Sequence, residues 1–382
     1  MRSTPAAPSP SAPVSAHDGP TLTGIDVSAY TVPTETAESD GTRVWDQTTI
    51  LIIEPRAAGV RGLAYAYGDP AAARLILDTL EPAIRGCQAF ALNDAYARMG
   101  RAIRESGRSG IAWTAVSAVD LGLWDLKARL LELPLIDLLG PARDAVPVYG
   151  SGGFTSAPIR ELQRQLAGWV EAGIPRVKMK VARHPEQDER RVAAARAAIG
   201  PDAELFVDAN GAYSRKQALA FAERFAQYHV TWFEEPVSSD DLDGLRLLRD
   251  RGPFGMDITA GEYGFDLFTF RRLLDAGAVD VLQADARRCG GVSGFLRVAA
   301  LCEAAPLPLS THTAPTLHAL LGCAVNEVRH IEYFHDHVRI EQMLFDGAPR
   351  PVHGMIGPDR SRPGFGLIFK RADAERLAKR VF

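Results

Sequence analysis

The 382-residue sequence has little of the chemistry that several classes of protein require. Its four cysteines are scattered and form no C-x-x-C motif, which argues against a zinc site and favours a reduced, cytoplasmic protein over a disulfide framework. No apolar stretch approaches the length of a membrane span. The 43 Lys and Arg residues against 47 Asp and Glu residues give a net charge of −4, so nothing indicates a basic face for nucleic acid.

The N-terminus lacks the apolar core of a signal peptide, since residues 1–20 read "MRSTPAAPSPSAPVSAHDGP". Pro, Ala and Ser dominate this stretch, and we interpret it as a flexible tail. The whole chain is 46% hydrophobic and 24% charged, which is enough to build a substantial core. Its length suits a large barrel or two domains.

Residues 21–140 predict an α+β unit. Two strands, "TLTGIDVSAYTVP" and "WDQTTILIIEP", are joined by the polar run "TETAESDGTRV" at residues 34–44, which predicts a loop. The segment "GVRGLAYAYG" predicts a third strand, and the pattern is helical from Asp69 onward. Strands followed by helices are typical of an α+β unit.

After Gly140 the sequence alternates strictly between strand candidates and amphipathic helical segments. Eight strand-helix units in about 200 residues predict a (β/α)8 barrel. A doubly wound sheet would show a glycine-rich phosphate turn after its first strand, and "YGSGGF" lacks the required spacing. The eight strand candidates are "AVPVYGS", "RVKMKV", "ELFVDAN", "VTWFEEP", "DITAGE", "VDVLQAD", "PLPLSTH" and "VRHIEYF".

A charged or titratable residue ends seven of these strands, and functional groups of barrel enzymes stand at those ends. Each has an ordinary reading when it is taken alone: a lone Asp is often a helix N-cap, and a lone His is often a satisfied core residue. Seven such residues at consecutive strand ends predict one shared site instead. They are Lys180, Asp208, Glu234, Glu262, Asp285, His312 and Glu332.

Three of these residues, Asp208, Glu234 and Glu262, bring carboxylates together on adjacent strands. Unpaired carboxylates would repel one another, and a hard divalent cation relieves that repulsion. An all-oxygen ligand set favours Mg²⁺ over zinc. The sequence therefore predicts a magnesium site.

Lys178 and Lys180 point to the same face of their strand, because strand side chains alternate. We expect mutual repulsion to lower the pKa of one lysine, so that a neutral amine serves as a general base. On the other side of the site, Asp285 can accept a proton from one imidazole nitrogen of His312 and fix its tautomer.

At this point the sequence resembles the enolase superfamily, in the mandelate racemase/muconate lactonizing enzyme family and its mandelate racemase-type subgroup. The resemblance covers the chain from about residue 21. It rests on "VKMK", "VDAN", "FEEP", "AGE", the Asp of "LQADARRCGGVSG", the His of "LSTH" and the Glu of "HIEYF". It implies an enolase-like barrel at residues 141–355, a capping domain at 21–140, and a C-terminal segment at 356–382 that packs back on the cap.

The resemblance also implies a role for each site residue. The metal ligands are Asp208, Glu234 (rather than Glu235) and Glu262, and the metal is Mg²⁺. Cap loops around residues 33–47 and 65–69 are expected to close over the barrel mouth, choose the substrate and exclude water. The remaining roles are the base Lys180, its partner and carboxylate contact Lys178, the opposite-face dyad His312 and Asp285, the hydrogen-bonding Glu332, and Asn210, which lines the site.

Two other chemistries are disfavoured. The muconate lactonizing type carries a lysine after its sixth strand, and "LQADARRC" has none there. The "HDH" at His335 to His337 resembles an amidohydrolase metal pair, but in that fold the pair belongs to the first strand, whereas this one follows the last. We interpret these histidines as loop residues near the entrance.

The resemblance implies removal of a proton α to a carboxylate, with Mg²⁺ and Lys178 holding the developing charge. Dehydration of a sugar acid is the favoured outcome by analogy, racemisation or epimerisation is the alternative, and a non-catalytic binding protein on the same fold is the third reading. A small-molecule carboxylate is the expected partner, without nucleic acid or membrane. Relatives of this type often form symmetric assemblies, so we also expect a homo-oligomer.

Overall fold

The structure is a computed structural model that describes residues 19–382. The predicted flexible tail at residues 1–20 therefore lies outside the described residues, apart from its last two positions. Within this described range, no helix is long and apolar enough to cross a membrane.

The first part of the chain forms an antiparallel sheet. Strands β1 (Leu22–Ser39) and β2 (Val44–Ala57) pair along most of their length, and β2 also pairs with β3 (Val60–Arg61) and β4 (Ala64–Tyr67). The centre of β2 is fully buried: Leu51 and Ile53 pack in the cluster of the helices that follow, and Ile50 and Ile52 pack in the cluster that includes the barrel. The predicted third strand is thus two short strands.

The predicted loop at residues 34–44 is wrong, because both strands run into it and leave only residues 40–43 between them. Trp45 Nε1 donates to Glu38 across the hairpin at 2.8 Å. The Asp40 carboxylate closes the turn by accepting from the backbone N–H of Thr42 and of Arg43, each at 2.7 Å. A half-buried strand alternates apolar and polar residues, so a run of polar residues predicts a loop. Residues 33–37 of this hairpin are mostly exposed, and the sequence therefore shows no such alternation there.

Five helical elements, α1 to α5, and one π-helical turn follow the sheet. The long helix α4 is buried along most of its length against β2 and β4. Its close approach depends on glycine, because a Cβ at Gly62 would lie 2.5 Å from the carbonyl oxygen of Gly122. The elements are α1 (Ala71–Leu75), the π-helical turn (Ile76–Leu80), α2 (Glu81–Ile84), α3 (Leu92–Ala102), α4 (Ile111–Leu130) and α5 (Leu135–Leu139).

The second part of the chain is a closed parallel barrel with helices outside it, which confirms the predicted fold class. All eight strand candidates are strands, and β12 pairs in parallel with β5, so the sheet closes on itself and a doubly wound sheet is excluded. The strands are β5 (Val146–Ser151), β6 (Arg176–Lys180), β7 (Glu204–Asp208), β8 (Val230–Glu234), β9 (Asp257–Ala260), β10 (Val281–Ala284), β11 (Leu309–Thr311) and β12 (Val328–Phe334).

The barrel interior carries aromatic side chains in its lower part, with the buried His330 packed among them, and charged side chains at its top. Tyr149, Phe206, Trp232 and Val281 form a buried cluster in the lower interior. The outer helices bury an apolar stripe against the strands, as their sequence periodicity predicts. They are α6 (Ile159–Glu171), α7 (Pro185–Ile199), α8 (Arg215–Ala226), α9 (Leu242–Arg251), α10 (Leu267–Asp275), α11 (Gly291–Ala304), α12 (Pro315–Ala324) and α13 (His335–Leu344).

The C-terminal segment contacts both parts of the chain. β13 (Phe345–Asp346) pairs with β15 (Ile368–Phe369), and β14 (Met355–Ile356) pairs with β5 of the barrel. After α14 (Arg371–Leu377), β16 (Lys379–Arg380) pairs with β1 of the N-terminal sheet.

The buried Asp125 of α4 also joins this segment to the N-terminal part, by accepting from the backbone N–H of Leu63 and of Phe365 at 2.7 Å each. The domain boundaries at residues 21–140, 141–355 and 356–382 stay a prediction.

The tip of the β1–β2 hairpin lies directly on the barrel loops. The backbone N–H of Thr155, just past β5, donates to the Ser39 carbonyl at 2.8 Å, and the two side-chain hydroxyls are 2.6 Å apart. Gly41 fits against the loop after β7, where an added Cβ would meet the Ala209 carbonyl oxygen at 2.3 Å. A side chain at this position would therefore lift the tip off the barrel.

We expect Gly41→Ala to loosen the hairpin without unfolding the protein, because the clash with Ala209 is local and with backbone. Hydrogen–deuterium exchange of residues 34–47 should become faster, while the thermal midpoint changes little. Gly168→Ala on α6 is the matched control, since an added Cβ there meets nothing within 4 Å. Unchanged exchange protection of the hairpin in Gly41→Ala would show that the hairpin tip does not depend on the close contact between Gly41 and Ala209.

Candidate active site at the barrel mouth

The register of the parallel strands brings the predicted ligands to one end of the barrel. Lys180 pairs with Asp208 across β6 and β7, and Asp208 pairs with Glu234 across β7 and β8. Glu262 follows β9, the next strand around the barrel. Asp208, Glu234 and Glu262 each offer a carboxylate oxygen, these oxygens lie within 4.8 Å of one another, and all three residues are buried.

Both predicted lysines reach this carboxylate cluster. The fully buried Lys178 places Nζ 2.6 Å from Glu234 Oε1, 2.8 Å from Glu332 Oε1 and 3.4 Å from Asp208 Oδ2. Lys180 forms an ion pair with Asp208 and also lines the open cavity above the barrel. The pair that alternation places on one strand face therefore contacts the same carboxylate, that of Asp208.

The carboxylates around the two lysines raise the pKa of both, and the lowered pKa of one lysine beside a bound Mg²⁺ stays a prediction. Burial alone would lower both values, but Glu234 and Glu332 beside Lys178, and Asp208 beside Lys180, outweigh it. The sequence shows the two lysines separated by a single residue, whereas the carboxylates that oppose their charge come from other strands.

The carboxylate cluster fits a hard divalent cation. Burial and the charge of Asp208 raise the pKa of Glu234, which shows that the cluster carries like-charge repulsion despite the two lysines. Glu262 Oε2 receives no hydrogen bond from residues 19–382. A free, buried carboxylate oxygen beside two more carboxylates is a typical donor set for Mg²⁺.

His312 approaches the cluster from the side opposite the lysines. Its Nδ1 lies 2.8 Å from Asp285 Oδ2, and its Nε2 lies 3.4 Å from Glu262 Oε2. A carboxylate acceptor at Nδ1 favours the tautomer with the proton on Nδ1, so Nε2 is free to exchange a proton in the cavity. Lys180 contacts Asp208 at one end of the carboxylate set, and His312 contacts Glu262 at the other.

Glu332 and Asn210 complete the set of predicted residues. Glu332 accepts from Ser151 Oγ at 2.6 Å and from the Thr313 backbone N–H at 2.7 Å. Burial alone would raise the pKa of Glu332, but Lys178 lowers it to about 2. Asn210 lines the cavity, and its backbone N–H donates to Asp208 Oδ1 at 2.9 Å.

The cavity above these residues has a volume of about 640 Å³ and is covered by the N-terminal sheet. The predicted cap loops at residues 33–47 and 65–69 both reach it, through Asp40 and residues 43–49 of the hairpin and through residues 67–70 at the end of β4. Charged barrel residues form the floor, so a ligand would lie between the sheet and the charged end of the barrel.

The histidines of "HDH" are not loop residues, which corrects the prediction. They begin helix α13, and His337 is buried with its ring stacked on Tyr67 at 3.5 Å between centroids. Asp336 is buried and accepts from Thr48 Oγ1 of the hairpin at 2.5 Å. The only group of potential metal ligands in residues 19–382 is the Asp208 cluster, so the amidohydrolase reading has no support.

Sequence reasoning missed several residues that hold this site together. Arg288 lies 3.6 Å from Glu262 Oε1 and donates to the Glu262 carbonyl at 3.0 Å. Arg287 pairs with Asp285 and lies over the ring of Tyr67. The signal was available, because "ADARRC" places two arginines directly after the strand-end Asp285.

The arrangement can move protons on two sides of a bound molecule. Lys180 and His312 are both titratable, both line the cavity, and contact opposite ends of the carboxylate set. Both side chains are buried, which strengthens their electrostatic interactions with a ligand. Acid–base chemistry at an anionic carbon acid suits this geometry.

Two families match the chain. Residues 25–140 match the family described as mandelate racemase/muconate lactonizing enzyme, N-terminal domain, and residues 161–373 match the family described as enolase C-terminal domain-like. A 3,6-anhydro-alpha-L-galactonate cycloisomerase of Streptomyces coelicolor is 31% identical over 358 residues, which cover 92% of this chain and 96% of that protein.

Solved structures agree with these matches. A mandelate racemase/muconate lactonizing enzyme-like protein from Rubrobacter xylanophilus has a TM-score of 0.92 and 54% identity, and the match covers 94% of this chain and 100% of that one. An L-talarate dehydratase from Polaromonas sp. JS666, complexed with Mg and L-glucarate, has a TM-score of 0.84 and 30% identity over 94% of this chain and 98% of that one.

We expect Mg²⁺ to raise the thermal midpoint of the protein, and Asp208→Asn or Glu262→Gln to abolish most of that rise by removing one anionic ligand. Glu235→Gln is the matched control. Glu235 is a buried glutamate next to Glu234 in the chain, and it is outside the ligand set. Calorimetric titration with Mg²⁺ checks the same ranking. Equal binding by all three variants would refute the ligand assignment.

Proposed function

We propose a reaction for this chain from the premise that it belongs to the mandelate racemase/muconate lactonizing enzyme family of the enolase superfamily. It removes the proton α to the carboxylate of a sugar acid and eliminates the 3-hydroxyl as water, giving a 2-keto-3-deoxy acid. The observation that carries the proposal is the placement of Lys180 and His312 at opposite ends of one buried carboxylate set, under a covered cavity.

The carboxylates of Asp208, Glu234 and Glu262 would hold Mg²⁺. When bound, that ion supplies positive charge that orients the substrate carboxylate and stabilises its developing negative charge. Lys178 adds a second fixed positive charge, since it is fully buried and its neighbours keep it protonated. These charges are needed because a carbon acid next to a carboxylate is too weak for a side-chain base alone.

Lys180 is the proposed base on one face of the α-carbon. Asp208 now keeps Lys180 protonated, and Asp208 is also one of the three candidate ligands. When Asp208 is engaged as a ligand, Lys178 remains as a charged neighbour of Lys180, and like-charge repulsion favours the neutral amine. The proton on the α-carbon then passes to Nζ of Lys180.

His312 is the proposed acid on the opposite face. Its Nδ1 is held by Asp285, so a proton carried on Nε2 can pass to the departing 3-hydroxyl. Glu332 is fixed by Ser151 and Thr313 and is proposed to hydrogen-bond the reacting carboxylate. Asn210 lines the same cavity and is proposed to contact substrate.

Dehydration is preferred over racemisation by analogy with relatives. The Polaromonas protein is named a dehydratase, and its structure is a complex with Mg and L-glucarate. The Streptomyces relative is named a cycloisomerase, so anhydro acids and lactones belong among the candidate substrates. Racemisation or epimerisation remains the alternative outcome of the same proton abstraction.

We also propose a cytoplasmic location and a homo-oligomeric state. Cys87, Cys289, Cys302 and Cys323 are all free and buried, which suits a reducing compartment. Phe254 and Phe268 are large apolar side chains exposed on the surface, and a homo-oligomer interface would bury them.

A screen of aldonic acids, aldaric acids and their anhydro and lactone forms with Mg²⁺ tests the reaction. We expect a 2-keto acid product, detected by semicarbazide or by NMR, and no turnover after chelation of the metal. If acids are not dehydrated but their α-hydrogen exchanges with deuterated water, the racemase or epimerase reading replaces the proposal. Full turnover by the chelated protein would contradict both.

Variants of the two proton-transferring groups separate their roles. We expect His312→Asn to lower product formation by about 10²- to 10⁴-fold while α-hydrogen exchange with deuterated water persists, because Lys180 removes that proton. Lys180→Ala should abolish both. Lys216→Ala, on an exposed turn of α8, is a control lysine with no expected effect. Normal turnover by either site variant would show that the pair is wrongly assigned.

A further inference from the structure

Arg287 is a fully buried arginine that the proposed chemistry does not use. It is 2% exposed, and it lines the cavity next to the Asp285–His312 pair. We propose that Arg287 is a positioning residue, which locks the Asp285–His312 dyad in place and ties it to the cap through Tyr67. The catalytic consequence of this inference rests on the proposed function, whereas the contacts of Arg287 are independent of that function.

The first observation is the set of hydrogen bonds that Arg287 donates to Asp285. The backbone N–H and Nε of Arg287 donate to Asp285 Oδ1 at 2.9 and 3.1 Å, and Nη2 donates to Oδ2. His312 Nδ1 shares that same Oδ2 at 2.8 Å. Donors to both oxygens fix the plane of the carboxylate, so Oδ2 stays directed at the imidazole.

The second observation concerns the chain just after His312. Arg287 Nη2 also donates to Thr313 Oγ1 at 2.5 Å. Thr313 and Ala314 have positive φ angles of 49° and 42°, which L-residues rarely adopt and which cost energy unless contacts hold them. One guanidinium therefore holds both partners of the dyad: Asp285 directly, and His312 through the residue that follows it.

The third observation is the contact with the cap. The Arg287 guanidinium lies 5.2 Å from the centroid of the Tyr67 ring, and Nη1 is 3.5 Å from the Tyr67 carbonyl. Tyr67 ends β4 of the N-terminal sheet and also stacks on His337 at the start of α13. The cation is thus enclosed between the cap strand and the dyad, so cap position and dyad geometry are linked.

Burying an arginine is costly, and packing alone does not require it. Burial would raise the pKa of Asp285, and Arg287 is the foremost group that lowers it instead. A lysine could not replace this arginine, because it lacks the planar fork that reaches both Asp285 oxygens and Thr313. The residue type therefore matches the positioning task.

A purely structural role would have a different consequence. If Arg287 only stabilised the fold, its loss would lower every activity together with the fraction of folded protein. Arg129 provides the matched comparison. It pairs with the fully buried Asp125 at 2.5 Å and donates to the Leu367 carbonyl at 2.8 Å, far from the dyad.

The first readout needs no substrate. We would record ¹⁵N and ¹H NMR of the histidine rings in the wild type and in Arg287→Met, Arg287→Lys and Arg129→Met, with His312→Asn to assign the signal. We expect the hydrogen-bonded Nδ1 proton of His312 to shift or broaden in both Arg287 variants and to be unchanged in Arg129→Met. An unchanged signal in Arg287→Met would overturn the inference.

The second readout uses any substrate that the screen identifies. We expect Arg287→Met and Arg287→Lys to lower kcat for product formation by about 10- to 100-fold, with KM little changed and α-hydrogen exchange by Lys180 retained. Exchange and product falling together, or Arg129→Met showing the same loss, would overturn the inference in favour of a stability role.

The link to the cap is tested with Tyr67→Ala alone and combined with Arg287→Met. If both act on the dyad through one contact, the double variant loses little more kcat than Arg287→Met alone; independent, multiplied losses would overturn the link. A protein that turns over no sugar acid would refute the proposed function, while the NMR comparison would still decide whether Arg287 holds His312.

Discussion

The structure depends on a balance of buried charge at one end of the barrel. Asp208, Glu234 and Glu332 surround Lys178, and none of these groups can lose its partners without leaving an unpaired charge in a dry interior. Only a closed barrel brings side chains from β6, β7, β8 and β12 to one point, because strand ends that are distant in the sequence meet around the ring. The balance is incomplete, since Glu262 Oε2 receives no hydrogen bond from the described residues and the charge of Asp208 adds to burial in raising the pKa of Glu234; a divalent cation among the three carboxylates would relieve both.

The cap gives that charged centre its environment. The hairpin tip is held by Thr155 and by the close fit of Gly41, and Tyr67 covers Arg287 from the other cap segment. Together these contacts place polar residues of the cap over the charged end of the barrel. Enclosure matters because fixed charges act more strongly on a ligand when water is excluded, and catalysis of proton removal from a weak carbon acid needs that strength. Cap and barrel therefore form one site although they come from different parts of the chain.

Several sequence expectations failed for a common reason. The polar run at residues 34–44 predicted a loop, but β1 continues to Ser39, with an irregular stretch between Pro33 and Glu38 where its register on β2 shifts. The lysine pair indicated only mutual repulsion, whereas the carboxylates that raise the pKa of both lysines come from strands distant in the sequence. The "HDH" histidines were expected in a loop, and they begin a helix whose packing against Tyr67 is a long-range contact. Each error came from judging a segment without the partner that folding supplies.

The sequence by itself determined the alternation of strands and helices, hence the barrel, and the chemical type and order of the residues at its strand ends. Those features are local: strand periodicity, strand length and the residue that ends each strand can be read along the chain. Only the tertiary structure decided which charges compensate one another, that Arg287 grips Asp285, and that the hairpin and Tyr67 close the cavity. These depend on distances between residues far apart in the chain, and such distances are set by barrel closure and cap docking rather than by any local pattern.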